Sequence, residues 1–235
     1  MYFQHSAEIW RDFPELVPAA MFAEGITGNA VVDGGVESLI AAARSRLAGA
    51  PESELPEIRA WRHAFAKMAL KPTQYRCASE SLLRRLRKAG ALPRLHPLVD
   101  LCNAVSAAFA IPVAALDVSK ITGSLEVRYA DGSEDYQTFT GAVEHPVAGE
   151  VIFADAAGRA HARRWTNRQS GLSAVRDSTT AALIVAEAMH DSASSDVPDV
   201  MAALTGLLHT VWSITPVTGA LSQTSPRFTF QPRSA

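Results

Sequence analysis

Apolar residues recur at helical spacing in several stretches of the chain. Ile58, Trp61, Phe65 and Met68 lie three or four apart and predict a helix over Pro56–Ala69. The same reading gives helices at Glu37–Leu47, at Ser79–Ala89 with Ser79 as N-cap and Gly90 as stop, and at Pro97–Phe109, ending before Pro112. Ala48–Ser53, polar and broken by Pro51, reads as a linker. From residue 124 the period changes to two. Leu125, Val127 and Tyr129 alternate with Glu126 and Arg128, and an Asp131-Gly132 turn leads to Tyr136–Phe139, so Ser124–Ala130 and Tyr136–Phe139 predict a hairpin. Gly149–Asp155 and His161–Trp165 form a second strand pair across Ala157-Gly158. Thr179–His190 and Val200–Trp212 return to helix, and the Thr-, Ser- and Pro-rich tail from Ser213 to Ala235 reads as extended along the surface.

Helices, then strands, then helices define an α+β chain rather than a βαβ alternation. Residues 1–70 read as a mainly helical N-terminal part packed on the core. Residues 71–235 carry the principal domain with its C-terminal helices and tail. The chain has 235 residues, 48% of them hydrophobic, and a net charge of −2, enough for a substantial core. No leader and no membrane-spanning run is expected. Cys77 and Cys102 are too few for a disulfide framework, which fits a reducing cytoplasm. The near-neutral charge speaks against coating nucleic acid by electrostatics alone, although local basic clusters remain able to bind an RNA end. There is no G-x-S-x-G elbow and no histidine or Cys/His cluster with zinc spacing. His5, His63, His145, His161 and His209 show no convincing partner in sequence.

A set of residues in order carries a family resemblance. It runs through Tyr75-Arg76, Val99-Asp100 with Asn103, Asp117, Gly123 with Arg128, and Ala130-Asp131-Gly132. It continues through Gly149–Asp155, Arg168-Gln169-Ser170, and Thr179-Thr180 with Glu187. Over roughly residues 70–190 the chain resembles the B3/B4 domain, the editing module of the bacterial phenylalanyl-tRNA synthetase β subunit, here standing alone. The resemblance implies a mixed β-sheet with flanking helices and a metal- and cofactor-independent hydrolase. Its substrate would be the ester at the 3′ CCA end of a mischarged tRNA, with no DNA or membrane partner. Catalysis would rest on positioning with help from the ribose hydroxyl. In size and layout the chain is similar to the free-standing canavanyl-tRNA(Arg) deacylase type; tyrosyl-tRNA(Phe) editing and a non-catalytic tRNA- or amino-acid-binding module are the alternatives.

Candidate roles follow from residue type and place. Asp100, Asn103 and Ser106 share a helix face, either as a pocket floor that binds substrate or orients water, or as structural groups satisfying nearby backbone. Tyr75 and Arg76 suit stacking on an adenine and pairing with a phosphate; otherwise they are core and surface residues. Glu150 and Asp155 border the side-chain pocket in the resemblance, where an acid would read a phenolic or cationic head. The clustered Arg84, Arg85, Arg87 and Lys88 read chiefly as a solvated helix end. Arg168, Gln169 and Ser170 end the densest basic–aromatic stretch, which reads either as CCA-end recognition, with Arg168 on phosphate and Gln169 and Ser170 beside Asn103 near the scissile ester, or as a strand ending in an Arg-rich turn. Thr179 and Thr180 would line the cavity mouth, and Glu187 shares the expected helix face with Thr180.

Overall fold

The computed structural model describes residues 1–232. In chain order its elements are β1 (Tyr2–His5), α1 (Ala7–Asp12), β2 (Val17–Glu24), α2 (Asp33–Gly49), α3 (Pro56–Lys67), α4 (Ala78–Ala89) and α5 (Pro97–Phe109). There follow β3 (Val113–Asp117), β4 (Ser124–Tyr129), β5 (Tyr136–Gln137), β6 (Val143–Glu144), β7 (Val151–Asp155), β8 (Ala160–Arg163) and β9 (Arg168–Gln169). The chain ends with β10 (Ala181–Ala188), α6 (Ala193–Trp212), β11 (Val217–Ala220) and β12 (Arg227–Thr229). The fold is α+β, as the sequence pattern predicts.

Two sheets organise it. A four-stranded antiparallel sheet runs β11-β2-β10-β3, and a six-stranded mixed sheet runs β12-β1-β4-β7-β8-β9, its one parallel pair being β1 with β4. The smaller sheet is buried on both faces. On β10, Leu183 and Val185 enter one core with Trp61, Phe65 and Phe153, while Ala182, Ile184 and Ala186 enter a second with Val105 of α5 and Leu204 of α6.

That double burial overturns the helix expected over Thr179–His190. Successive residues of the Ala182–Ala188 run are apolar apart from Glu187 because both sides are covered, so the period-two signal is erased and a run rich in alanine reads as helix. The same masking hides β2. The expected boundary at residue 70 therefore cuts through both sheets, since β1 and β2 belong to them.

The expected hairpin also differs. β4 pairs with β1 and β7, and β5 pairs with β6. The Asp131-Gly132 turn instead wraps Glu134, whose carboxylate accepts from both of its N–H groups and from Arg128. At α4 the cap is Cys77 rather than Ser79, which is fully buried, while Gly90 does end the helix in the left-handed region at φ 72°. The β7–β8 pair forms as expected, and α6 begins seven residues before the predicted start. The tail is partly strand, with β11 and β12 closing the two sheets; its residues 233–235 lie outside the described residues. No helix among the described residues is long and apolar enough to cross a membrane.

Candidate functional site

Two cavities meet where the sheets converge, and Val113 and Gln169 line both. The inner one, a cavity of about 90 Å³, lies between β3, β7, β8 and β10. Its walls are mostly apolar (Pro112, Leu116, Phe153, Val185), and its polar groups are His161, Thr166, Asn167, Arg168, Gln169, Glu187 and the Trp165 indole. The outer cleft, about 750 Å³, opens to solvent between α5 and the loops after β5 and β9, with Leu95 and Phe139 exposed on its rim and Asn103, His96 and Arg176 on its walls.

Glu187 is the acid of the inner cavity. It is 2% exposed, and its Oε1 is held by His5 Nε2 at 2.7 Å and by the Trp165 indole N–H at 2.9 Å. The Trp61 indole donates to the backbone carbonyl of the same residue at 3.3 Å. Its Oε2 accepts no hydrogen bond from a described residue. A carboxylate fixed through one oxygen presents the other as an acceptor to whatever enters. Trp165 reaches it from a strained turn, since Arg164 and Trp165 both take positive φ, at 48° and 57°. In sequence His5 is remote from everything; here it is the partner of Glu187.

Gln169 stands at the junction. Its amide nitrogen donates to the Ala115 carbonyl at 2.8 Å, and its amide oxygen accepts no hydrogen bond from a described residue. Asn103 faces the outer cleft from α5, and its side-chain amide makes no hydrogen bond to a described residue. Of the polar groups the sequence places near the ester, the Asn103 amide and the Gln169 amide oxygen are the ones without a hydrogen bond among the described residues. Arg168 lines the inner cavity from its exposed edge, pairs with Glu144 at 3.0 Å and lies over the Tyr136 ring.

The other candidates are placed elsewhere or committed. Ser170 is fully buried, its hydroxyl donating to the Gln137 carbonyl at 2.7 Å and accepting from Leu172 N–H at 3.1 Å. Glu150 receives both branches of the Arg163 guanidinium at 2.9 Å and the Arg164 N–H at 3.0 Å. Burial alone would raise its pKa, but this fork outweighs it and holds the carboxyl below the usual range. Asp155 is tied to Arg159 at 2.6 Å, to the Thr122, Ala157 and Arg159 N–H groups, and lies 3.2 Å from His161 Nε2, outside hydrogen-bonding alignment. Burial opposes its charge, yet these donors hold its carboxyl well below the usual range. Asp100 accepts from Leu95 N–H at 2.9 Å and faces a separate groove beside Arg94.

Ser106 is spent on the Ile111 carbonyl and drops out of the expected helix stripe, whereas Asp100 and Asn103 both line the groove beside Arg94. Thr179 is buried and donates to Asp117 at 2.7 Å, while Thr180 is exposed at the strand start. Thr180 lies just before β10, outside the strand that carries Glu187, so the helix face expected to join the two does not exist. Tyr75 packs on the core under Arg164, and Arg76 pairs with Glu80 at 3.5 Å.

The sequence reading missed His161, Thr166, Asn167, Phe139 and His96 as lining residues. Thr166 and Asn167 sit inside the basic–aromatic stretch that singles out Arg168; His161, Phe139 and His96 carry no signal without the fold. The Cys102 thiol, on the outer wall, is pushed up to about 12 by burial and is no nucleophile. Among the described residues, the trio of His, Asp and Glu ligand atoms close enough for an ion lies outside the cleft.

The site is thus an apolar inner chamber bearing one fixed carboxylate, open to an outer cleft that carries the Asn103 amide. The chain belongs to the B3/4 domain family, whose model matches residues 60–196. Over 60 residues, 26% of this chain, it is 38% identical to the phenylalanine--tRNA ligase beta subunit of Legionella pneumophila (strain Lens), and that stretch is 7% of the ligase subunit. A solved N-terminal fragment of the phenylalanyl-tRNA synthetase beta-subunit from Pyrococcus horikoshii superposes with a TM-score of 0.49 at 8% identity, over 91% of this chain and 49% of the fragment. The chain thus spans about half of that fragment and a small part of the ligase subunit.

Proposed function

We propose that the cleft hydrolyses the ester of a mischarged aminoacyl-tRNA in trans, with canavanyl-tRNA(Arg) as the best-matched substrate. The observation that carries this reading is the pair of chambers joined at Gln169, one of chain-end size and one of side-chain size with the free oxygen of Glu187 inside. Family membership and the local identity to a phenylalanine--tRNA ligase subunit support it.

In this reading the 3′ adenosine of the CCA end lies in the outer cleft among Phe139, Leu95 and Asn103, and the aminoacyl side chain enters the inner chamber. The ester carbonyl then sits at the junction. An ester is already activated, so holding it beside one oriented water is a large part of the catalysis. The Gln169 amide oxygen is the acceptor available to orient that water, and the Asn103 amide the donor available to the developing oxyanion. Ser170, with its hydroxyl committed, supplies no nucleophile and instead fixes the turn that presents Gln169. Glu187 Oε2 accepts from a cationic or hydrogen-bond-donating head group. Canavanine's guanidino group is a weaker base than arginine's, so protonation state and donor pattern at one acceptor give a means of discrimination.

A phenolic hydroxyl would meet the same oxygen, which keeps tyrosyl-tRNA(Phe) as the second reading. The test is deacylation of canavanyl-, arginyl- and tyrosyl-tRNA against a no-protein control. Loss of the canavanyl ester with the arginyl ester spared supports the proposal, and selective loss of the tyrosyl ester moves the specificity. Control rates throughout, with tRNA still bound, would leave a binding module.

A further inference from the structure

Helix α3, the loop after β10 and helix α6 bring Glu57, His190 and Asp196 together. One ligand atom from each lies within 4.8 Å of those of the other two. Two of the three are more than nine-tenths buried, Glu57 and His190 each being 7% exposed. Glu57 Oε1 accepts from Arg46 Nη2 at 2.6 Å, but its buried Oε2 has no partner. His190 Nε2 lies 2.8 Å from Asp196 Oδ2, and its buried Nδ1 has no partner. Asp196 also accepts from Ser192 Oγ at 2.7 Å and Ser195 Oγ at 3.2 Å, and it alone of the three is partly open to solvent.

A carboxylate oxygen and an imidazole nitrogen left dry and unpaired are each costly. Glu57 is already salt-bridged through Oε1, so Arg46 does not satisfy the oxygen in question. A cation about 2.0–2.2 Å from each donor would use both orphaned residues at once and draw the three ligand atoms inward. We infer that Glu57, His190 and Asp196 form a divalent-cation site. One imidazole with two carboxylates suits a borderline first-row ion such as Zn²⁺ and is a poor set for Mg²⁺ or Ca²⁺, which prefer all-oxygen shells. Arg46, Ser192 and Ser195 hold the carboxylates from behind, as outer partners of metal sites do. The open side of Asp196 gives the ion its path and leaves room for water in the remaining position.

The ion would tie α3 to the loop after β10 and the start of α6, more than a hundred residues further along the chain. Glu57 shares α3 with Trp61, whose indole grips the Glu187 carbonyl, and His190 follows Glu187 by three residues. Occupancy would brace the back of the inner chamber without touching anything bound there. The inference is independent of the proposed hydrolysis.

The full chain, stripped with a chelator, is titrated with Zn²⁺ by calorimetry and followed by thermal unfolding. One ion per chain and a rise in Tm that chelator reverses are expected. Glu57→Gln keeps the volume and an acceptor for Arg46, and with His190→Asn it should weaken binding at least about tenfold. His63→Asn, an exposed histidine on the same helix, should change nothing. Co²⁺ in place of Zn²⁺ should give visible absorption of a nitrogen–oxygen site in the wild type and lose it in His190→Asn. No saturable binding, or binding that survives both variants, overturns the site.

Discussion

Of the four carboxylates the sequence offers for a cationic or phenolic head group, three are spoken for. Glu150 is clamped by Arg163, Asp155 by Arg159 and backbone donors, and Asp100 by the Leu95 N–H. Glu187, on a segment whose sequence reads as helix, is the one lining the inner chamber with an oxygen to spare. Residue type was legible in the chain, but commitment was not, because the partners of these acids lie up to 182 residues away. The two amides and Ser170 separate in the same way. Asn103→Ala removes a half-exposed side chain with no partner and should leave unfolding free energy within about 0.5 kcal/mol while lowering deacylation. Ser170→Ala strips a buried hydroxyl of two hydrogen bonds and should cost about 1–3 kcal/mol. Urea denaturation of both variants beside their deacylation rates checks the contrast.

The clamped acids also set a pH dependence. Glu150 and Asp155 have folded pKa values below the unfolded ones, so their contribution to stability is complete above about pH 4–5 and is lost as pH falls through the depressed values. Stability measured by urea from pH 7 to pH 3 should therefore fall toward the acid end. Glu150→Gln should flatten that slope; an unchanged slope would remove Glu150 from the account.

At the level of elements, amphipathic helices such as α3 and α5 could be read from spacing because one face meets the core and the other does not. β2 and β10 could not, because burial on both faces removes the contrast that periodicity needs. Short strands such as β5 and β9 are held by contacts rather than by pattern. Gly171, next to β9, shows how tight those contacts are: a Cβ there would sit 2.7 Å from the Thr138 carbonyl oxygen and 2.9 Å from Phe139 Cα. The close approach fixes the rim residue Phe139 relative to Gln169. Gly171→Ala should destabilise by about 1–3 kcal/mol. It should also weaken tRNA binding more than Asn103→Ala does, measured by denaturation and by equilibrium binding.

For the molecule as a whole, the two sheets draw strands from both ends of the described chain. β2 lies between β10 and β11, and β1 lies between β4 and β12. A fragment of residues 71–235 would lose both, exposing the edges of β10 and β4 and leaving β11 and β12 without partners. It should show no cooperative thermal transition by circular dichroism, whereas a sharp transition near that of the full chain would restore a boundary at residue 70. The α+β class was legible from the succession of patterns, but this interleaving was not, since strand order depends on pairings that local sequence does not encode.

The most direct test of the cleft as an editing site is the rate of ester loss from canavanyl-tRNA(Arg), followed for the wild type, for Glu187→Gln and without protein. A wild-type rate well above the spontaneous one, with Glu187→Gln at least about tenfold slower yet still folded, is the predicted result. A wild-type rate equal to the spontaneous one, or a Glu187→Gln rate equal to the wild type, would contradict it.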